Sequence, residues 1–203
     1  MPQPALSRLR ERTILTWGIA LTVGLACATT AAHLVDYGAY DLHVRALDAN
    51  TRASVFGVIS LFALAVAFAA AAMTAARVPE QRVHGALLAA ALGILLVLRI
   101  VHPAEVVALA LPLIAAAFVL LWSWRAEDVR ACRVLRAGCL LLAASLVLRR
   151  PGFDALESLG YDDETWANQT RVALKHASEL AGWVLVATAL LASARHSGPR
   201  ERR

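Results

Sequence analysis

Hydrophobic residues run along this chain in six long blocks, and inside them apolar and polar positions do not alternate with the period of two that marks a strand. The blocks cover residues 13–33, 54–76, 83–101, 105–124, 134–148 and 176–194, and they are rich in Ala and Leu. A helix needs roughly 20 mostly apolar residues to cross a bilayer core about 30 Å thick. The pattern therefore predicts an all-α fold, a polytopic transmembrane bundle of six helices forming one domain over residues 1–203, with 134–148 the shortest crossing. The polar connections alternate in length. Short turns at 77–82 and 125–133 join helices two to three and four to five, whereas 34–53 and 149–175 form long loops at the opposite end. Within the second long loop, Pro151-Gly152 is a breaker, and Asp162 or Asp163 offers an N-cap with Glu164 in the first turn. The last helix is thus expected over 164–194, several turns longer than a bilayer core requires.

Composition agrees. The chain is 59% hydrophobic and 17% charged, against about 45–50% and 25% in soluble domains. These values exclude an ordinary soluble enzyme, a disordered chain and a disulfide scaffold. Arginine supplies 19 of the 20 basic residues, Lys175 being the one lysine, and 43 residues are alanine; this usage reads as a high-GC bacterial genome. The net charge of +5 does not indicate nucleic acid, because the arginines flank apolar segments and form no basic stripe. With the N-terminus placed inside, thirteen basic residues fall on the inner side and seven on the outer, while the acids divide five to ten. The positive-inside bias then predicts both termini in the cytoplasm of a multi-pass protein of the bacterial cytoplasmic (inner) membrane. The first segment, with Arg8, Arg10 and Arg12 ahead of it, is longer than a signal-peptide core and is expected to be retained. Trp17, Trp122 and Trp124 fall at the expected inner ends and Tyr37, Tyr40, Tyr161 and Trp166 outside, as interfacial aromatics do. Cys27, Cys132 and Cys139 form no CxxC or zinc-finger spacing, and His84 and His196 are expected to be solvated at the inner boundary. Asn168-Gln169-Thr170 fits a glycosylation pattern that a bacterial chain does not use.

Candidate chemistry gathers at the outer side. Three pairs share one spacing: His33 with Asp36, His102 with Glu105, and His176 with Glu179. Positions three apart share a helix face. Asp41, His43 and Asp48 lie in the adjoining loop. Imidazole and carboxylate are the ligands of catalytic zinc and of related divalent metals, so His33, His102, His176 and Glu179 form a candidate metal set. The same groups suit proton transfer. Glu179 sits inside an apolar run beside Leu180, Ala181 and Trp183, and Arg99 at the end of Leu95–Ile100 is its expected partner in a buried ion pair. Interfacial residues and structural ion pairs account for the same pattern without a ligand. The Ala-rich stretch 63–76 is expected to pack helix two in the bundle centre. The basic tail 195–203 suits a membrane anchor or anionic headgroups.

The stretch Leu47-Asp48-Ala49-Asn50-Thr51-Arg52-Ala53-Ser54-Val55-Phe56-Gly57-Val58-Ile59-Ser60 and the opening Ser178-Glu179-Leu180-Ala181-Gly182-Trp183 resemble uncharacterised six-helix integral membrane proteins of high-GC bacteria. That resemblance implies the topology and no activity. Members of that group tend to carry an acidic pair and a His at the end of helix three; here Arg99-Ile100-Val101-His102-Pro103-Ala104-Glu105 lacks the acidic pair. Ser54, Asp36, His102 and His176 are also of the types that alkaline ceramidase-like hydrolases use to hold zinc, but the paired HxxxH of their last helix is missing. Three functions follow as expectations: a membrane subunit or scaffold, a metal-dependent hydrolase at the outer leaflet, and a proton or small-solute transporter through Arg99, Glu179 and His102. The shortage of polar residues in the cytoplasmic half of the helices weighs against the transporter. The expected partners are the bilayer and another membrane protein or a second copy, with no nucleic acid.

Overall fold

Each apolar block forms a helix because a chain segment in hydrocarbon must satisfy its own N–H and C=O groups. The computed structural model describes residues 3–40, 44, 46–47, 54–101, 107–124, 129–149, 154, 157–160 and 165–196. Its helices are α1 (Gln3–Tyr40), α2 (Val55–Arg77), α3 (Arg82–Val101), α4 (Val107–Trp122), α5 (Val129–Val147) and α6 (Trp166–His196), with a single 3-10 turn at Pro79–Gln81. The Ser54 side chain caps α2 by accepting from the Gly57 N–H at 3.1 Å. Pro79, directly after the C-cap residue Val78, stops α2 and starts the turn into α3. Four helical stretches, in α1, α2, α6 and the 3-10 turn with α3, are long and apolar enough to cross a membrane.

Two helices depart from the expected bounds. The first was expected over 13–33 and runs from Gln3 to Tyr40. The fifth was expected from 134 and starts at Val129. Hydropathy marks where a helix is greasy, whereas backbone hydrogen bonding continues through charged turns. Arg130, Arg133 and Arg136 therefore ride the first two turns of α5 with exposed side chains. Arg136 lies 5.6 Å over the Trp122 ring, a cation–π contact with α4. The last helix starts at Trp166, with Thr165 at the cap position accepting from the Asn168 N–H at 3.4 Å. The expected caps Asp162 and Asp163 lie outside the described residues.

Helix α6 is the axis of the bundle. In its apolar window 83% of residues are buried, against 22–33% in α1, α2 and α3. It packs on α1, α2 and α5, and α3 and α4 complete the wall between α2 and α5. Neighbours run antiparallel, apart from α2 and α6, which start at the same end and run parallel. Gly18 of α1 meets Thr188 of α6, Gly85 of α3 meets Ala75 of α2, and His84 at the start of α3 meets Leu120 near the end of α4. Leu15, Ala131 and Ala192 pack together, so the start of α1, the start of α5 and the end of α6 share one end of the bundle. The opposite end gathers the ends of α1, α3 and α5 with the starts of α2 and α6.

Small residues permit this packing. Ala63, Ala67, Ala70 and Ala71 of α2 are all buried, but the bundle centre expected for this helix is occupied by α6. Where α5 crosses α6, a Cβ added at Gly182 would stand 2.7 Å from Leu142 Cγ and 3.0 Å from the Gly138 carbonyl. Large apolar side chains face outward instead, among them Trp17, Val23, Phe62, Ile94 and Val97. Buried Thr22, Thr29, Thr74 and Thr188 each donate to the carbonyl four residues earlier at 2.7–2.9 Å, which removes their polarity locally. Apolar groups outside and satisfied small polar groups inside are the arrangement a lipid solvent requires. Two expectations at the expected inner end are corrected. Trp124 is buried in the bundle rather than interfacial. His84 is half-buried, donates from Nε2 to the Leu120 carbonyl at 2.8 Å and lies edge-on to Trp124, because α3 and α4 converge there.

Replacing Gly182 by Val is expected to cost about 1–3 kcal/mol through overpacking. Val at Gly24, where an added Cβ meets nothing within 4 Å, is expected to change stability by under about 0.5 kcal/mol. Reversible unfolding in detergent measures both.

Candidate functional site

The N-terminal half of α6 carries two polar faces by helical spacing. Asn168, Arg171, Lys175 and Glu179 recur at three- and four-residue intervals, and Gln169 and His176 are seven apart on another face. The first face meets the ends of α3 and α5. The second meets α1. The crossing is locked by Trp166, whose ring packs edge-on to Tyr37 at 4.7 Å and closes over Gly38, where an added Cβ would stand 2.9 Å from the indole.

Glu179 is the most demanding group. It is buried, one turn inside the apolar core of the bundle, and a lone carboxylate there is costly. Arg99, from the last turn of α3, donates from Nη1 to its Oε1. Arg149, just past the end of α5, brings Nη2 to 3.9 Å from Oε2. The carboxylate therefore joins three helices. The Arg99 guanidinium is still partly exposed, with 29% of its side-chain surface open, so its desolvation is incomplete.

Arg171 serves the backbone instead. Its Nη1 donates to the Leu148 carbonyl and, at 2.8 Å, to that of Arg149, while Nε donates to Asn168 Oδ1 at 2.7 Å. The carbonyls just past α5 have no partners within the helix, and one guanidinium nitrogen from α6 donates to two of them. Asn168 is buried and engaged in this contact, so the first residue of the glycosylation-like triplet belongs to the helix interface.

On the α1 side, His33 and Asp36 are fully buried. They share a face, but each turns to its own partner. His33 Nε2 donates to Gln169 Oε1 at 3.1 Å. Asp36 Oδ1 accepts from the Val44 N–H at 3.1 Å, tying the chain beyond α1 back onto the helix. His33 does not end the first helix, because α1 continues for seven residues to Tyr40. His176 lies within electrostatic reach of His33, Lys175, Glu179 and Arg149. Its Nε2 and Asp36 Oδ2 are buried without a hydrogen-bond partner among the described residues.

Of the residues singled out in the sequence, the structure thus gathers His33, Asp36, Arg99, His176 and Glu179 at one end of the bundle. His102 and Glu105 lie outside the described residues. Among the described residues, no three His, Cys, Asp or Glu side chains form a group able to hold a metal ion. Sequence reasoning took Arg149, Arg171 and Lys175 only as topogenic charges and missed Gln169 and Asn168 as interior groups. The signal was present in the spacing 168, 171, 175, 179, which places a polar stripe along a helix otherwise gripped on three sides. No family model matches the chain, and neither the curated proteins nor the solved structures contain a match.

Arg171→Met is expected to destabilise the protein by about 1–2 kcal/mol by orphaning the α5 carbonyls and Asn168. Arg171→Lys is expected to restore less than half of this, since an ammonium has no second nitrogen to serve Asn168 along with the two carbonyls. Detergent unfolding of the three proteins measures the difference.

Proposed function

We propose that this chain is an integral protein of the bacterial cytoplasmic membrane, crossing it six times with both termini in the cytoplasm, and that it works as a membrane subunit or scaffold. The observation that carries this reading is the use made of its polar groups. Glu179, Arg99, Arg149, Arg171, Asn168, Gln169 and His33 are engaged between helices, holding α6 against α1, α3 and α5. Such a network fixes one arrangement of helices and leaves the outer wall apolar, as a subunit that presents a defined surface to lipid and to neighbours requires.

The proposed orientation rests on charge. Arg77, Arg82, Arg130, Arg133 and Arg136 stand at the bundle end where α1 begins and α6 finishes. In a background with the three cysteines replaced by alanine, Asn50→Cys is expected to react with an impermeant maleimide added to intact cells. Ser197→Cys is expected to react only after lysis. External labelling of Ser197→Cys would reverse the orientation. Zinc content separates the scaffold from a zinc hydrolase. Protein purified from zinc-supplemented cells is expected to hold well under one zinc per chain, with no change in His102→Ala/His176→Ala. One zinc per chain, lost in that variant, would establish the hydrolase reading instead.

A further inference from the structure

Around Glu179 the charges do not balance. Arg99 and Arg149 both lie on its carboxylate. Lys175, one turn earlier on α6, is within electrostatic reach of Arg149, Arg171 and Glu179. Among the described residues Arg99, Arg149 and Lys175 therefore lie around one carboxylate, with Arg171 near Lys175. Arg99 is committed to Glu179, and Arg171 to the α5 carbonyls and Asn168. Arg149 and Lys175 are left under-used. Arg149 reaches Glu179 only at 3.9 Å and keeps 57% of its side-chain surface open. Lys175, half-buried, makes no hydrogen bond or ion pair with the described residues. Next to it in sequence, His176 has a buried Nε2 with no hydrogen-bond partner among the described residues.

Like charges held together repel, and an anion between them removes that repulsion. The position is also suitable. Arg149 follows the end of α5, and Lys175 lies one turn nearer the start of α6 than Glu179. We propose that Arg149, Lys175 and His176 form a binding site for a phosphate-type anion, either the headgroup phosphate of an anionic phospholipid or free phosphate. The Arg149 guanidinium supplies a fork for two phosphate oxygens, Lys175 a point charge, and His176 an Nε2–H donor in that tautomer. Glu179 and Arg99 lie beneath and hold α6 in register with α3. The same positive field disfavours a divalent cation at this spot.

The test is thermal unfolding of the full chain in a non-ionic maltoside detergent. It is titrated with dioleoylphosphatidylglycerol, with dioleoylphosphatidylcholine, or with inorganic phosphate. Phosphatidylglycerol is expected to raise Tm saturably by about 4 °C or more above the phosphatidylcholine value. Arg149→Gln/Lys175→Gln is expected to lose more than half of that shift, and Arg133→Gln at the opposite end to keep all of it. Should the double variant not survive extraction, Lys175→Gln alone is expected to lose about half. A shift produced by phosphatidylglycerol alone assigns the site to lipid; an equal shift with inorganic phosphate assigns it to a soluble anion. The proposal is overturned if neither probe exceeds phosphatidylcholine, or if the glutamine variants respond in full.

Discussion

A carboxylate inside an apolar bundle must be neutralised or paired, and the arrangement of this molecule follows from how Glu179 is paired. An unpartnered charge at that depth costs several kcal/mol, in either a protein interior or a bilayer. Arg99 meets this demand only if the end of α3 comes to α6 at that level, and Arg149 only if α5 ends beside it. The register of three helices is thus fixed at one point. Lipid gives no hydrophobic driving force between helices, so such directional contacts and close packing carry the specificity that a water-soluble core obtains from burial.

The rest of α6 supports the same arrangement by other means. Gly138 and Gly182 bring α5 and α6 close enough that a single added carbon would collide with backbone or Leu142. Gly18 does the same against Thr188 on the α1 side. Arg171 closes the open end of α5, and the Gln169–His33 contact joins α6 to α1. These contacts lie along a helix about 46 Å long, well beyond the roughly 30 Å of a bilayer core. The extra turns carry Asn168, Gln169 and Arg171, and so hold the polar contacts away from the hydrocarbon centre.

The six helices were legible in the sequence because each is a long apolar block, and Arg99 and Glu179 were legible as partners because each interrupts such a block. The ends of α1 and α5 were not, since backbone hydrogen bonding continues where hydropathy falls. Nor were the partners of His33 and Arg171, because Gln169 and the Leu148 carbonyl lie more than twenty residues from them in sequence. The burial of Trp124 and His84 depends on the convergence of α3 and α4, which no local pattern encodes. Polar spacing along α6 was visible, but its meaning required knowing that this helix is surrounded.

The central claim is that Arg99 and Glu179 act as a coupled pair holding α6 to α3. A double-mutant cycle in detergent unfolding tests it, with Arg99→Met, Glu179→Leu and the two combined. The single changes each leave a charge without its main partner, while the combined change leaves an apolar contact of similar volume. Each single variant is expected to lose about 2 kcal/mol, with Arg149 softening the loss in Arg99→Met, and the combined variant to recover at least about 1 kcal/mol relative to the sum. Strictly additive losses would contradict the account, because they would mean that the two side chains contribute to stability independently.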